Sequence, residues 1–287
     1  MSYNEFNHNV IFHFYVQYTY TLYGVDCLEE TVMKVLPLDS RLEPLFWKHV
    51  YQDIPHHYFF ILDMNRDRAS TKVLLALNQK NRIDGMMMIY RQRIVQLRGS
   101  VEAARTLLAK LDIEKVEIQG LEEHRALILD KFKKARATFE IILMTLRRGE
   151  ETPQIKHPVV RLSTADAEDI AALMRHGDPE WWGETTSAQI AERMRERLWL
   201  GIKIDEQLVS VGGATLDTWG SNIGTVVTHE KHRNKGYATS IVSALVEQMQ
   251  QKSNLALIHV ESNNPPAIRA YTKVGFKPYR KYFVART

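Results

Sequence analysis

Arg233, Lys235 and Gly236 stand in the stretch 226–249, VVTHEKHRNKGYATSIVSALVEQM, between an apolar run and an amphipathic one. Ala238, Ile241, Val242, Leu245 and Met249 recur at helical spacing, which places the cationic turn at a helix N-terminus. The freed N–H groups of such a terminus and the positive end of its dipole bind anions, and the two side chains add charge. Gly236 lets a ligand approach the backbone where a side chain would block it. The turn is therefore a candidate phosphate or pyrophosphate site. An Arg-x-x-Gly-x-Ala string alone occurs by chance in roughly one chain in six of this length, so its surroundings must carry the argument.

A second chemical element follows about thirty residues on. Residues 255–260 (LALIHV) form an apolar run that suits a buried strand and is too short for a helix. Beyond Glu261, Asn264 is a good helix N-cap and Pro265 suits the first helical position. Gly275 fits the stop of that helix. Asn264, Ala267 and Tyr271 then share one helix face.

These two segments resemble the GNAT superfamily of acyl-CoA N-acyltransferases. The RNKGYA turn is similar to that family's Gln/Arg-x-x-Gly-x-Gly/Ala pyrophosphate loop, and NNPPAIRAYTKVGF is similar to its Asn-x-x-Ala-x-x-x-Tyr…Gly-Phe element. Thr228, five residues before Arg233, looks closest to the FR47-like branch. The detailed match covers 225–278 and the wider fold 159–287. The resemblance implies an acetyl-CoA or other acyl-CoA co-substrate and an amine acceptor, joined by direct attack in a ternary complex. It also implies a mixed, mostly antiparallel α/β sheet flanked by helices.

By the same resemblance, the pyrophosphate lies on Arg233, Asn234, Lys235, Gly236, Tyr237, Ala238 and Thr239, and the pantetheine arm pairs along Val226, Val227 and Thr228 like an added strand. That requires strand 255–260 to splay away. Tyr271 is placed at the cofactor sulfur, where a phenol can protonate a thiolate; its plain alternative is a core tyrosine. Asn264 either bonds the pantetheine or caps its helix. Glu261, with His259 two residues earlier on the same face, is the leading general base; the alternatives are a charge at the helix start and a packed histidine. No acid stands among Thr225, Val226, Val227 and Thr228, so a water-relayed base or an already neutral amine stays open. Trp181, Trp182 and Trp219 are candidate acceptor walls, with ordinary packing as the alternative. His229 and His232 lack a third convergent ligand, so no metal is expected.

Positioning this chemistry takes two α/β halves. At 287 residues the chain is long enough for two cores. The stretch 149–158 (GEETPQIKHP) has two prolines and no hydrophobic periodicity, giving 1–150, a linker at 151–158, and a catalytic domain at 159–287. The spacing predicts helices at 41–52, 100–111 and 121–134 with strands at 72–78, 85–91, 93–98, 115–118 and 138–146 in the first half. In the second it predicts helices at 165–176, 187–198, 236–251 and 265–273, with strands at 159–163, 199–204, 207–216, 222–228, 255–260 and 278–285. The similar orders suggest a tandem repeat of one α/β unit; the alternative is an unrelated α/β domain. In its first copy Arg98-Gly99-Ser100 replaces the cationic loop and no Asn-x-x-Ala-x-x-x-Tyr follows, so that half is expected to be degenerate and non-catalytic.

The net charge of +4 is spread over both halves, which argues against a nucleic-acid tail. The single Cys27 excludes an internal disulfide and fits a reducing cytoplasm. Residues 10–25 carry no Asp, Glu, Lys or Arg and many aromatics, yet are too short for a membrane span and lack a signal-peptide pattern. A packing or homodimer contact is expected there; the alternative is that Met33 is the true start. The runner-up function is a catalytically silent acyl-CoA-binding module that governs a partner.

Overall fold

The computed structural model describes residues 33–287. The aromatic stretch 10–25 and Cys27, with the roles expected of them, lie outside the described residues.

Aliphatic and β-branched runs give twelve strands: β1 (Lys34–Pro37), β2 (Thr71–Leu77), β3 (Ile83–Tyr90), β4 (Ile94–Gly99), β5 (Glu117–Gly120), β6 (Ala137–Arg147), β7 (Val160–Arg161), β8 (Leu198–Ile204), β9 (Gln207–Thr215), β10 (Ser221–Thr228), β11 (Leu255–Glu261) and β12 (Lys277–Arg286). All join one sheet in the order β1-β2-β3-β4-β5-β12-β6-β11-β10-β9-β8-β7. Only β4·β5 and β10·β11 are parallel. The sheet is mixed, mostly antiparallel and flanked by helices, as the resemblance implied.

The order contains an exchange. β12, the last strand of the second half, lies between β5 and β6 of the first; β6, the last strand of the first half, lies between β12 and β11 of the second. The β6·β12 pair thus serves both halves about a pseudo-twofold centre. Tyr58, Leu62, Leu121, Leu143, Leu255, Leu257 and Tyr282 form one buried cluster across this joint. Each such side chain contributes about 1.5–3 kcal/mol by leaving water, so the halves hold each other's cores closed. Residues 151–158 do not hang free between them: Thr152, Gln154 and Lys156 donate main-chain N–H groups to Val274 O, Ser243 Oγ and Ser240 Oγ.

Three elements escape the sequence pattern, β1, the single turn Pro179–Trp182 and the helix Tyr58–Arg66. That helix follows Pro55 and opens on the unbroken apolar run YFFIL, which carries no 3.6-residue period. Its capping residue His57 makes no side-chain cap bond. Tertiary burial of Tyr58, Phe60, Ile61, Leu62 and Met64 holds it instead. The helix crosses from the first half onto the sheet of the second, on the face opposite the helix Tyr237–Gln250.

Candidate active site

β10 and β11 face each other only from Ser221, Asn222 and Ile223 to Ala256, Leu257 and Ile258. The register of β10 on β9 shifts between Ile223 and Thr225, leaving Gly224 as a bulge. From Thr225 to Thr228, β10 keeps β9 on one side and, among the described residues, has no strand on the other. His229 donates its N–H to Val209 O on β9, so by alternation the main-chain groups of Val226 and Thr228 face the open edge. The splay that the predicted pairing requires is present.

The open edge leads into the turn 229–236. Asn234 and Gly236 take left-handed backbones, with φ of 62° and 86°. Gly236 caps the helix Tyr237–Gln250, and no side chain occupies its N–H groups. Nothing but His157 Nε2, 3.6 Å off, lies near the space a Cβ would fill. Arg233, Asn234 and Lys235 are exposed, and Arg233 Nε donates to Thr228 O at 3.3 Å. Tyr237 is buried, while Ala238 and Thr239 are half-buried. His157, which the sequence left in the linker, bonds Lys235 O at 2.8 Å and packs edge-on against Tyr237 at 4.6 Å. It braces the turn from behind.

Asn264 caps the helix Pro265–Val274, its side chain accepting from Ala267 N at 3.2 Å. Gly275 ends that helix with φ 113°. Tyr271 is 6% exposed, in the same apolar cluster as Tyr237 and Ile241, and burial pushes its phenol up. Its hydroxyl has no hydrogen-bond partner among the described residues. Glu261 is exposed at the end of β11, opposite Ile141 of β6. His259 stacks on Phe59 at 5.2 Å, and burial, aided by the Arg98 charge, pushes its imidazole down to about 3. It is a neutral packed ring at ordinary pH.

Trp182 lies in a single turn, Pro179–Trp182, under the Arg193 guanidinium at 5.1 Å; Trp181 belongs to the same turn. Trp219 packs on Tyr58 at 4.9 Å and belongs to the joint between the halves. His229 stacks on His176 at 4.8 Å, and among the described residues no three His, Cys, Asp or Glu side chains converge as a metal site.

Asp63, Asn222 and Arg197, none of them singled out from sequence, lie on the other side of the wedge. Phe59, Leu62, Asp63 and Arg66 share a helix face. Phe59 reaches His259, Leu62 reaches the Leu257 cluster, and Arg66 donates to Asp217 Oδ1 at 3.0 Å. Asp63 therefore faces β10. Burial, with the Asp67 carboxylate, pushes it up to about 7, against the pull of Arg197 and Arg91. On β10, Asn222 is 6% exposed with Oδ1 unpartnered. Asn222 Nδ2 and Arg197 Nη1 lie 3.8 and 3.9 Å from where a Cβ on Gly224 would stand. The detectable signal was the 59/62/63/66 spacing, hidden by the apolar run before it.

The first half has the same splay but no opening. β4 and β5 pair only from Ile94–Gln96 to Glu117–Gln119. The wedge beyond holds Arg98, 3% exposed, which donates to His56 O (3.2 Å), Leu97 O (3.0 Å), Gln119 O (3.3 Å), Gln96 Oε1 (2.8 Å) and Gln119 Oε1, under the Tyr282 ring at 4.3 Å. The helix Val101–Leu108 is capped by Ser100, which accepts from Ala103 N and donates to Asp84. A capped terminus beside a carboxylate does not attract phosphate.

The description "Acetyltransferase (GNAT) family" matches residues 167–276, which contain the open wedge, the uncapped turn and Tyr271. This segment is a GNAT acetyltransferase domain. Comparison with curated proteins gave no match. Solved structures carry the fold further. A Drosophila protein is 10% identical at a TM-score of 0.65, covering 90% of this chain and 99% of its own. A GCN5-related N-acetyltransferase from Sphaerobacter thermophilus is 12% identical at 0.59, covering 89% and 95%. A tandem GNAT protein from the clavulanic acid biosynthesis pathway is 13% identical at 0.54, covering 88% and 98%. At these identities the likeness is one of fold, and it extends the GNAT-like architecture over both halves.

Proposed function

We propose that the chain is an N-acetyltransferase that moves the acetyl group of acetyl-CoA to an amine, with one active wedge, in its second half. One observation carries the reading: the β10·β11 ladder stops at Ile223 and Ile258, and the strand edge left open leads to a helix N-terminus without a side-chain cap. The exposed edge at Val226 and Thr228 suits the amide groups of a pantetheine arm. The N–H groups at Gly236 to Thr239, with Arg233 and Lys235, suit a pyrophosphate. Acetyl-CoA supplies an activated acyl group. The chain's own part is to hold it against the open strand, aim the amine at it, and present a proton donor. Tyr271, buried and with an unused hydroxyl, is the proposed donor to the departing sulfur. Asn264 serves as a helix cap in this reading.

Glu261 remains the proposed acceptor of the amine proton on the β11 side, since neutral His259 is committed to its stack on Phe59. The first half is proposed to be non-catalytic because Arg98 and Ser100 fill the corresponding places. Among the described residues no helix is long and apolar enough to cross a membrane, and we place the protein in the cytoplasm with no metal and no nucleic-acid partner. The test is release of CoA thiol from acetyl-CoA across a screen of amines and amino acids. Acceptor-dependent release is expected. Tight acetyl-CoA binding with no release for any acceptor would leave a silent binding module.

A further inference from the structure

Arg197 and Asp63 are opposite charges that face each other across the mouth of the wedge without meeting. Arg197, like Arg91, is close enough to pull on the Asp63 carboxyl, yet among the described residues neither the Asp63 carboxyl nor the Arg197 guanidinium makes an ion pair or a hydrogen bond. Most charged neighbours are engaged, while the Tyr58 hydroxyl and Asp217 Oδ2 are buried without a partner. Asp67 is bound by Arg91 at 2.7 Å and by the Tyr90 hydroxyl at 3.1 Å, Arg66 by Asp217, and Arg193 lies over Trp182. Arg197 is exposed and Asp63 half-buried, so the two stand open to a ligand that carries both signs.

The floor between them has a matching shape. Gly224 leaves a space beside the β10 bulge, and two donors border it, Asn222 Nδ2 and Arg197 Nη1. Two N–H donors around a bare glycine fit a carboxylate oxygen pair. The Asn222 side chain is nine-tenths buried, its Nδ2 is the donor that borders the Gly224 space, and its Oδ1 is left without a partner, an acceptor open to an N–H of the ligand. Asp63 supplies the anion for an ammonium on the opposite wall, from a helix that belongs to the first half.

We propose that the space over Gly224 is the acceptor site and that its acceptor is an amine carrying a carboxylate, of the amino-acid class, with the carboxylate between Arg197 and Asn222 and the ammonium on Asp63. The proposal rests on the acyl-transfer reading above. It gives the first half a role: it provides one wall of the acceptor site while its own wedge stays closed.

The test uses the full chain, with acetyl-CoA and paired acceptors: amino acids, and the same amines with the carboxylate removed or amidated. Carboxylated amines should show kcat/KM about tenfold or more above their partners, the scale of one charge-assisted contact. Arg197→Gln should raise KM for the carboxylated member about tenfold and leave the other member nearly unchanged, a split that a purely structural arginine would not produce. Asp63→Asn should raise KM for both. Acetyl-CoA binding by calorimetry should persist in both variants and shows that they fold. Equal rates for both members of each pair, or an Arg197→Gln enzyme that keeps the same preference, overturns the proposal while leaving acyl transfer intact. Absence of acetyl-CoA binding in the wild-type chain overturns the acyl-transfer reading itself, and this one with it.

Discussion

Ile223 and Ile258 are the last residues to face each other across β10 and β11; one step on, Gly224 and His259 have parted. On the first-half side of that gap His259 is taken up by Phe59, and on the other side β10 runs on, paired with β9 only, towards the turn at Arg233. A strand edge that opens directly onto a helix N-terminus can hold an extended arm with an anion at its end. The same pair of parallel strands in the first half opens onto Arg98 and a capped helix.

Tyr271→Phe separates chemistry from packing. The Tyr271 hydroxyl bonds nothing among the described residues, so its loss should shift Tm by no more than a degree or two. As donor to the departing sulfur it should cost about ten- to a hundredfold in kcat with little change in acetyl-CoA affinity. Unchanged kcat, measured by thiol release, would remove Tyr271 from the mechanism.

The acceptor step should depend on pH through Asp63. Its ordinary value is 3.8, and burial raises it to about 7, so the carboxylate that pairs with an ammonium forms as pH rises through about 7. The groups around it are Tyr58, Arg66 and Asp67 on its own helix, Tyr90 and Arg91 at the β3–β4 turn, and Arg193, Arg197 and Asp217 from the second half. The acceptor KM should fall between pH 6 and 8, and Asp63→Asn should flatten that profile. An unchanged profile in the variant assigns the titration elsewhere.

Acid should loosen the joint between the halves. Burial, then the Arg98 charge, holds His57 at about 4 and His259 at about 3, against about 6.5 in the unfolded chain. These folded values are depressed, so the stability they support is present above about 6.5 and is lost as pH falls from there towards 4. Urea unfolding at pH 7.5 and 4.5 should differ, and His259→Phe, which keeps a ring against Phe59, should shrink that difference by on the order of 2 kcal/mol. An equal loss in wild type and variant would contradict a buried neutral His259.

Much of the second half was legible in the sequence, because local rules and tertiary structure agree there. The 3.6 period from Ala238 to Met249, the Asn264 cap and the Gly275 stop all reappear in place. Asp205 and Glu206 both take positive φ between β8 and β9, as a two-residue hairpin turn demands. The strand exchange was not legible. β6 and β12 read alike as apolar strands, and nothing in either names its neighbour. The helix Tyr58–Arg66 was hidden for a related reason: Phe60, Ile61 and Met64 pack within the first half and Tyr58 and Leu62 reach the second, so its apolar residues serve two surfaces and show no single stripe. With it went Asp63.

Arg98→Leu should destabilise the fold without adding a cofactor site. Its removal strips donors from Gln96, Gln119 and three main-chain carbonyls, at a cost of about 3 kcal/mol. Ser100 and Asp84 still close the helix N-terminus beyond it. A second acetyl-CoA bound per chain in this variant would show the first half to be only plugged.

Calorimetric titration of acetyl-CoA into the wild-type chain and into Gly236→Val tests the central claim most directly. Gly236 takes φ 86° at the head of the free helix terminus, so a β-branched side chain there both strains the turn and covers its N–H groups. One site per chain is predicted for the wild type, with affinity reduced about a hundredfold or more in a variant that still melts cooperatively. Two sites per chain, or affinity unchanged in Gly236→Val, would contradict a single acyl-CoA site at the end of β10.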